Sequence, residues 1–300
     1  MATSQRLTAQ DIYQEVVSSG RAELSRSTGA LAFSGLTAGL VMGLTGLGVA
    51  GTRAALSGPS AEFVSLLFYP LGFIAVIIGR AQLFTENTLF PVVLVLETRG
   101  HLLGTLRLWA VVLVTNVLGA LIFAELVVKT GALKEPVVSA LTNMGAEATA
   151  PSITHVFASA VIGGWLVALA AWLVSSAQLT IAQIAAIWLM TFPVGLLHLA
   201  HCIASSDYIL AATVGGKVSA GAYLAWLGAA VAGNIVGGVI IVSLLNFGQV
   251  RIGWRTTRLR ERELEQEARV EQAREEREVR KDAKKSQAAK KTQAAKKSAS

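Results

Sequence analysis

The sequence predicts an all-α membrane protein with six transmembrane helices arranged as two inverted three-helix repeats, the second and fifth helices broken. Three observations carry this expectation. Charged residues make up only 15% of the 300 positions, against about 25% in a soluble domain, and they are missing from long stretches. Two of the apolar stretches are longer than one crossing needs and are interrupted by polar residues. The third and sixth stretches share a glycine-asparagine motif whose asparagines lie 118 residues apart.

No Lys, Arg, Asp or Glu occurs between Arg26 and Arg53, Glu62 and Arg80, Arg107 and Glu125, Glu147 and Asp207, or Lys217 and Arg251. A membrane helix needs about 20 mainly apolar residues. The gaps therefore set spans at 29–52, 62–97, 103–128, 153–176, 179–214 and 219–246. The first apolar run follows a long polar segment, which is not the pattern of a cleaved signal peptide. Residues 1–28 form an N-terminal segment in which Ile12, Val16 and Val17 fall near one face of an amphipathic helix over 8–26. Residues 29–248 are expected to form the six-span transmembrane domain and residues 249–300 a basic tail.

The second span is interrupted over Gly79–Thr88 and the fifth over Gly195–Asp207. Polar backbone at membrane depth survives only when buried in protein or lining a cavity. Two broken helices in corresponding halves point to a transport site. Span three carries Thr115-Asn116-Val117-Leu118-Gly119, and span six carries Gly233-Asn234-Ile235-Val236-Gly237. The same offset takes Thr85 to Ile203 and Gly46 to Gly164. An odd number of spans per half inverts the second repeat. Asn116 and Asn234 are expected to cap or bridge the broken helices, with their glycines permitting close packing.

The formal charge of +7 does not belong to the body. Residues 251–300 hold 16 Lys+Arg and 9 Asp+Glu, and residues 1–250 hold 10 of each sign. The Lys and Arg distribution places both termini in the cytoplasm by the positive-inside rule. The tail is expected to be helical from Arg255 to Asp282, unstructured over 283–300, and drawn to anionic lipid. No fold element supports nucleic-acid binding. Cys202, the single cysteine, excludes an internal disulfide and a multi-cysteine metal site. No nucleotide loop, metal cluster or nucleophile constellation suggests an enzyme or a cofactor.

Four segments resemble the formate/nitrite transporter family. They are Tyr69-Pro70-Leu71-Gly72-Phe73 with Gln82-Leu83-Phe84-Thr85-Glu86-Asn87-Thr88, then Gly163-Gly164-Trp165-Leu166-Val167, then His201-Cys202-Ile203-Ala204, and Gly233-Asn234-Ile235-Val236-Gly237-Gly238. The resemblance implies an aquaporin-like fold, a homopentamer with a pore through each protomer in the inner membrane, and small monovalent anions such as formate or nitrite, with a proton, as the solutes. It maps the central histidine to His201, the loop threonine to Thr85, and the slit to Tyr69, Phe73, Leu83, Phe84, Val167 and Val194. The chain departs from the family pattern at Gln82, where an acid is common, and at His198-Leu199-Ala200, where Gly-Phe-Glu precedes the histidine. It departs again at Gly164 and Ser205, where asparagine stands, and it has no vestibule lysine over residues 140–155.

As chemistry, a small anion in an apolar slit faces a heavy desolvation cost. Free N–H groups and positive dipole ends at the breaks, the Thr85 hydroxyl, and a titratable His201 are the expected devices that lower it. Desolvation also favours the neutral acid over the anion. His198 is expected to be structural or to sit in a vestibule. Arg80, Glu86 and Asp207 are costly at membrane depth unless paired or wet. They are expected to form either a clamp, with Arg80 bridging Glu86 or Asp207, or a selectivity element. Two other functions remain open on the residues alone: a pore of the same fold for water or neutral solutes, and a membrane scaffold that transports nothing.

Overall fold

The computed structural model of the chain describes residues 7–254, 260, 264–266, 269 and 271–272, and these contain helices and no strand. The chain divides into two units, 1–248 and 249–300. In the second unit the described residues are helical. The expectation for 283–300 and most of that for 255–282 fall outside the described residues.

In the first unit, α1 (Ala9–Ser25) starts at a capping box between Thr8 and Asp11. Its apolar stripe buries Tyr13, Val16 and Val17. The long unbroken helices are α2 (Thr28–Ala55), α6 (Leu102–Lys129) and α8 (Ile153–Ser176). A fourth, α11 (Ala220–Val236), continues as π-helix over Gly237–Leu244. Their bounds follow the charge gaps because charges and caps, not apolar content, end them. Ser27 and Ser152 cap α2 and α8 in the same way, each hydroxyl accepting from the backbone N–H three residues on. Five stretches are long and apolar enough to cross a membrane, and Thr180–Leu196 is a shorter apolar helix.

The second span divides into α3 (Ala61–Leu66), α4 (Leu71–Ile78) and α5 (Phe90–Thr98), with a 3-10 turn at Glu86–Thr88. The fifth divides into α9 (Thr180–Leu196) and α10 (Ala204–Val214). The second break is shorter than the sequence suggests. Helix resumes at Ala204, so Ser205, Ser206 and Asp207 belong to α10 rather than to the loop.

The repeat is real and larger than three helices per half. Helix α7 (Glu135–Thr149) lies in what reads as a loop between spans. It packs on α10 as α1 packs on α5. The contacts are equivalent: an added Cβ at Gly20 would press on the Phe90 carbonyl, and one at Gly145 on the Tyr208 carbonyl. Each repeat is therefore a short amphipathic helix, a span, a broken helix and a span.

The offset between repeats is not constant. The pair Asn116 and Asn234 is 118 residues apart, but Gly39 and Gly164 are 125 apart and make the same contact. An added Cβ at Gly39 would collide with the Asn116 carbonyl, and one at Gly164 with the Asn234 carbonyl. Gly164 thus corresponds to Gly39, not to Gly46. Gly119 and Gly237 complete the crossings, against the carbonyls of Leu36 and Val161. These four glycines let α2 and α6, and α8 and α11, approach at backbone distance.

Because no neighbour can yield without moving backbone, Gly164→Val should destabilise the fold by about 1–3 kcal/mol. Gly221→Ala, whose added Cβ meets nothing within 4 Å, should be neutral. Thermal unfolding in detergent, followed by the monodisperse fraction on size exclusion, checks this. Equal midpoints for the two variants would refute it.

Candidate functional site

The two breaks are held by the same set of atoms. In the first, Asn116 Oδ1 accepts from Phe84 N–H (2.9 Å), and Asn116 Nδ2 donates to the carbonyls of Gln82 and Gly35 (2.8 Å each). In the second, Asn234 Oδ1 accepts from Cys202 N–H (2.8 Å), and Asn234 Nδ2 donates to the carbonyls of Ala200 (3.1 Å) and Ala160 (2.8 Å). A serine of the preceding span completes each set. Gln82 N–H donates to Ser34 Oγ (3.1 Å) and Ala200 N–H to Ser159 Oγ (3.3 Å). Asn116 and Asn234 each bond to both sides of their own break. The two serines carry no sequence signal of their own and emerge only from the repeat.

Between the breaks, Thr85 Oγ1 and His201 Nε2 are 2.8 Å apart, both residues fully buried. Ala204 N–H donates to His201 Nδ1 (3.0 Å). With Nδ1 as acceptor, the neutral ring carries its proton on Nε2 and donates it to the Thr85 oxygen. The Thr85 hydroxyl hydrogen is then left to point at a solute. The free N–H groups expected at the breaks are fewer than the sequence suggests: those of Phe84, Cys202 and Ala204 are engaged by protein acceptors.

The slit residues are brought to this centre unevenly. The Phe73 ring meets the His201 ring edge-on, with centroids 4.9 Å apart, and Tyr69 lies beyond Phe73 at 5.9 Å. Leu83, Val167 and Val194 are fully buried. Phe84 packs edge-on against Trp109, whose Nε1–H donates to the Asn87 carbonyl (2.9 Å).

One side of the centre opens into a cavity of about 470 Å³. Tyr69, Val194, Ser205 and Tyr208 are among its lining residues, and Arg53, Glu62, Glu147, His155 and His198 bring charged and titratable groups to it. Tyr208 O–H donates to Ser205 Oγ (2.7 Å). Arg53 lies 3.3 Å from Glu62 and 3.8 Å from Glu147, and His198 Nε2 lies 3.8 Å from Glu62. His198, expected to be structural or to sit in a vestibule, lines this cavity, and the charged group around it was not anticipated. Arg53, Glu62 and Glu147 looked like span-end charges, and only folding gathers them.

The expected charged clamp is absent. Arg80 is exposed and makes no ion pair among the described residues with Glu86 or Asp207. The physical reason is that Asp207 sits on α10 rather than in the break, with both carboxylate oxygens buried and no hydrogen-bond donor in reach. Glu86 is half-buried in the 3-10 turn. Among the described residues no three His, Cys, Asp or Glu side chains are placed to hold a metal ion.

Two inverted repeats, each with a helix broken at membrane depth and held by an asparagine, define a multi-pass membrane protein of channel type. Comparison with known proteins narrows this class. The profile described as Formate/nitrite transporter matches residues 10–248. Inner membrane protein YfdC of Escherichia coli (strain K12) is 33% identical over 264 residues, covering 86% of this chain and 84% of its own. A probable formate transporter of Methanothermobacter thermautotrophicus is 31% identical over 235 residues, covering 72% and 82%. Among solved structures, an FNT family ion channel superposes with a TM-score of 0.69 at 20% identity, covering 78% of this chain and 96% of its own. A pentameric formate channel with formate bound superposes with a TM-score of 0.62 at 20% identity, covering 73% and 95%. The chain belongs to the formate/nitrite transporter family, as its motifs implied.

Asn116→Ala would orphan the Phe84 N–H and the Gln82 carbonyl at once. Each buried polar group left without a partner costs about 1–3 kcal/mol. Asn116→Ala and Asn234→Ala should therefore each lower the thermal midpoint more than Asn246→Ala does. Asn246 donates its amide to one carbonyl, that of Val242, within its own helix. Midpoints measured side by side check this, and an Asn246 variant as unstable as the other two would refute it.

Proposed function

We propose that the protein is a channel or transporter for small monovalent anions or their acids, formate and nitrite among them, and that their passage is proton-assisted. Family membership supports the transport class. The relative described as a probable formate transporter and the superposing channel with formate bound support the solute class. The observation that carries the mechanism is the Thr85–His201 contact at the meeting of the two breaks. The histidine holds the threonine oxygen, so the hydroxyl hydrogen faces the solute. Around this pair the wall is apolar. A bare anion loses its hydration there and gains few donors, the hydroxyls of Thr85 and Tyr69 among them, whereas its neutral acid loses much less. Proton exchange at the centre then lets the solute cross as the acid.

The same reading assigns a homopentamer in an inner membrane, in keeping with the E. coli relative and the pentameric neighbour. It places both termini in the cytoplasm, residues 1–28 as a segment docked on α5, 29–248 as the channel domain, and 249–300 as a basic tail that meets anionic lipid. The vestibule then faces away from the cytoplasm.

A second reading is favoured by one observation. Arg53 at the vestibule is flanked by Glu62 and Glu147, so with its histidines neutral that mouth does not attract anions. A pore for neutral solutes or water fits such a mouth.

Flux into proteoliposomes decides. Wild-type protein should carry formate or nitrite faster as pH falls. His201→Phe should lower that flux about tenfold, the worth of one hydrogen bond of about 1.4 kcal/mol, and flatten its pH dependence. An unchanged pH profile would remove the proton role. Water flux with neither anion would select the second reading. Deleting residues 251–300 should leave flux intact and weaken recruitment to anionic vesicles; lost flux would place the tail in the pore's working parts.

A further inference from the structure

The first half-helix of each break ends in the same way. In α4, Ala81 N–H donates to the Val76 carbonyl (3.0 Å) and Arg80 N–H to the Ile77 carbonyl (3.2 Å). In α9, Leu199 N–H donates to the Val194 carbonyl (2.9 Å) and His198 N–H to the Gly195 carbonyl (3.1 Å). Such an end turns the residue after the helix into the left-handed region, where glycine is the usual occupant. Here the occupants are Arg80 at φ 58° and His198 at φ 49°. They are 118 residues apart, the offset of the breaks. Non-glycine residues are uncommon in this conformation, and an outlier of this kind at a break is a reason to look for a function.

Both side chains are exposed, which removes packing as the reason for keeping them. His198 lines the vestibule, in the segment between α9 and α10 that also carries His201. The inverted repeat puts Arg80 at the equivalent place on the opposite face. His198 already faces a carboxylate, since Glu62 Oε1 is 3.8 Å from its Nε2. Arg53, the other cation of that mouth, is matched by two glutamates and also reaches Ser65. Arg80 makes no ion pair among the described residues.

We propose that Arg80 and His198 are the anion-recruiting residues of the two pore mouths, selecting small monovalent anions of carboxylate or nitrite type before they reach the slit. This rests on the transport reading above. The two mouths differ in one respect. Arginine is charged at every working pH, whereas an imidazole is charged only when protonated. The charged and titratable groups facing His198 across the vestibule are Arg53, Glu62, Tyr69, Glu147, His155 and Tyr208. On the Arg80 side the nearby carboxylates are Glu86, which interacts electrostatically with Arg80, and Glu23; at the His198 mouth the protonated imidazole is the recruiting form.

The test uses the full chain in vesicles of each orientation, with initial formate rates measured from either face. His198→Gly should raise KM about threefold to tenfold for entry from the vestibule face and leave the maximal rate and entry from the other face unchanged. Arg80→Gly should do the converse. His198→Arg should restore a low KM and remove its pH dependence. Glycine suits the positive φ, so both glycine variants should keep or raise the thermal midpoint. Unchanged KM from both faces, with wild-type flux present, overturns the proposal alone. A raised KM accompanied by a lowered midpoint also overturns it, by making the residues structural. Wild-type vesicles that carry neither formate nor nitrite overturn the transport reading and recruitment together.

Discussion

A helix broken inside a bilayer leaves donors and acceptors with no water to meet them, and one asparagine amide per break removes most of that cost. The amide presents an acceptor and a donor on the same edge. It therefore takes the N–H on one side of the turn and the carbonyl on the other, Phe84 with Gln82 and Cys202 with Ala200. The second amide hydrogen anchors the assembly to the neighbouring span, at Gly35 or Ala160. The amide reaches that span only because the backbones touch, and they touch only because Gly39 and Gly164 have no side chain. Glycine, asparagine, break and site form one chain of dependence, built twice.

The scaffold repeats but the chemistry does not. At the fixed offset of 118, Leu83 answers to His201 and Thr85 answers to Ile203. Thr85 and His201 are thus one polar residue from each break, set against the apolar partner of the other. The pseudo-symmetry brings two loops to one point, and the divergence makes that point a donor pair rather than two copies of one group. The same divergence sets an arginine at one mouth and a histidine at the other, on identical helix ends.

The spans were legible because a bilayer leaves so few choices: a charge gap of span length has one use. The breaks were legible as polar residues inside spans, and Asn116 and Asn234 as a repeated motif. Helix α7 was missed because its apolar residues, Val137, Leu141 and Met144, fall at helical spacing but in too short a run to read as a span. The constant offset failed because the two repeats differ by seven residues between the first span and the break. The Arg80 clamp failed at contact distance: Arg80, turned out at φ 58°, is exposed, and although Glu86 lies within electrostatic range of it, neither Glu86 nor the buried Asp207 pairs with it among the described residues.

The placement of donors bears on what a pore of this kind admits. The body carries 10 charges of each sign, and at the vestibule the arginine is matched by glutamates. The net field of the body therefore does little, and past the two mouths discrimination falls to groups within hydrogen-bond distance. There three of the backbone donors that the breaks would offer an anion, those of Phe84, Cys202 and Ala204, are already committed to Asn116, Asn234 and His201. The Thr85 hydroxyl and the unpartnered Tyr69 hydroxyl are among the few side-chain donors left. A few donors do not replace the hydration shell of an ion, but a neutral acid needs little more than one donor for its carbonyl and one acceptor for its hydroxyl. The price of a well-satisfied break is thus a centre poor in donors, which favours the neutral acid over the bare anion and is the argument behind the proton-assisted passage proposed for this protein.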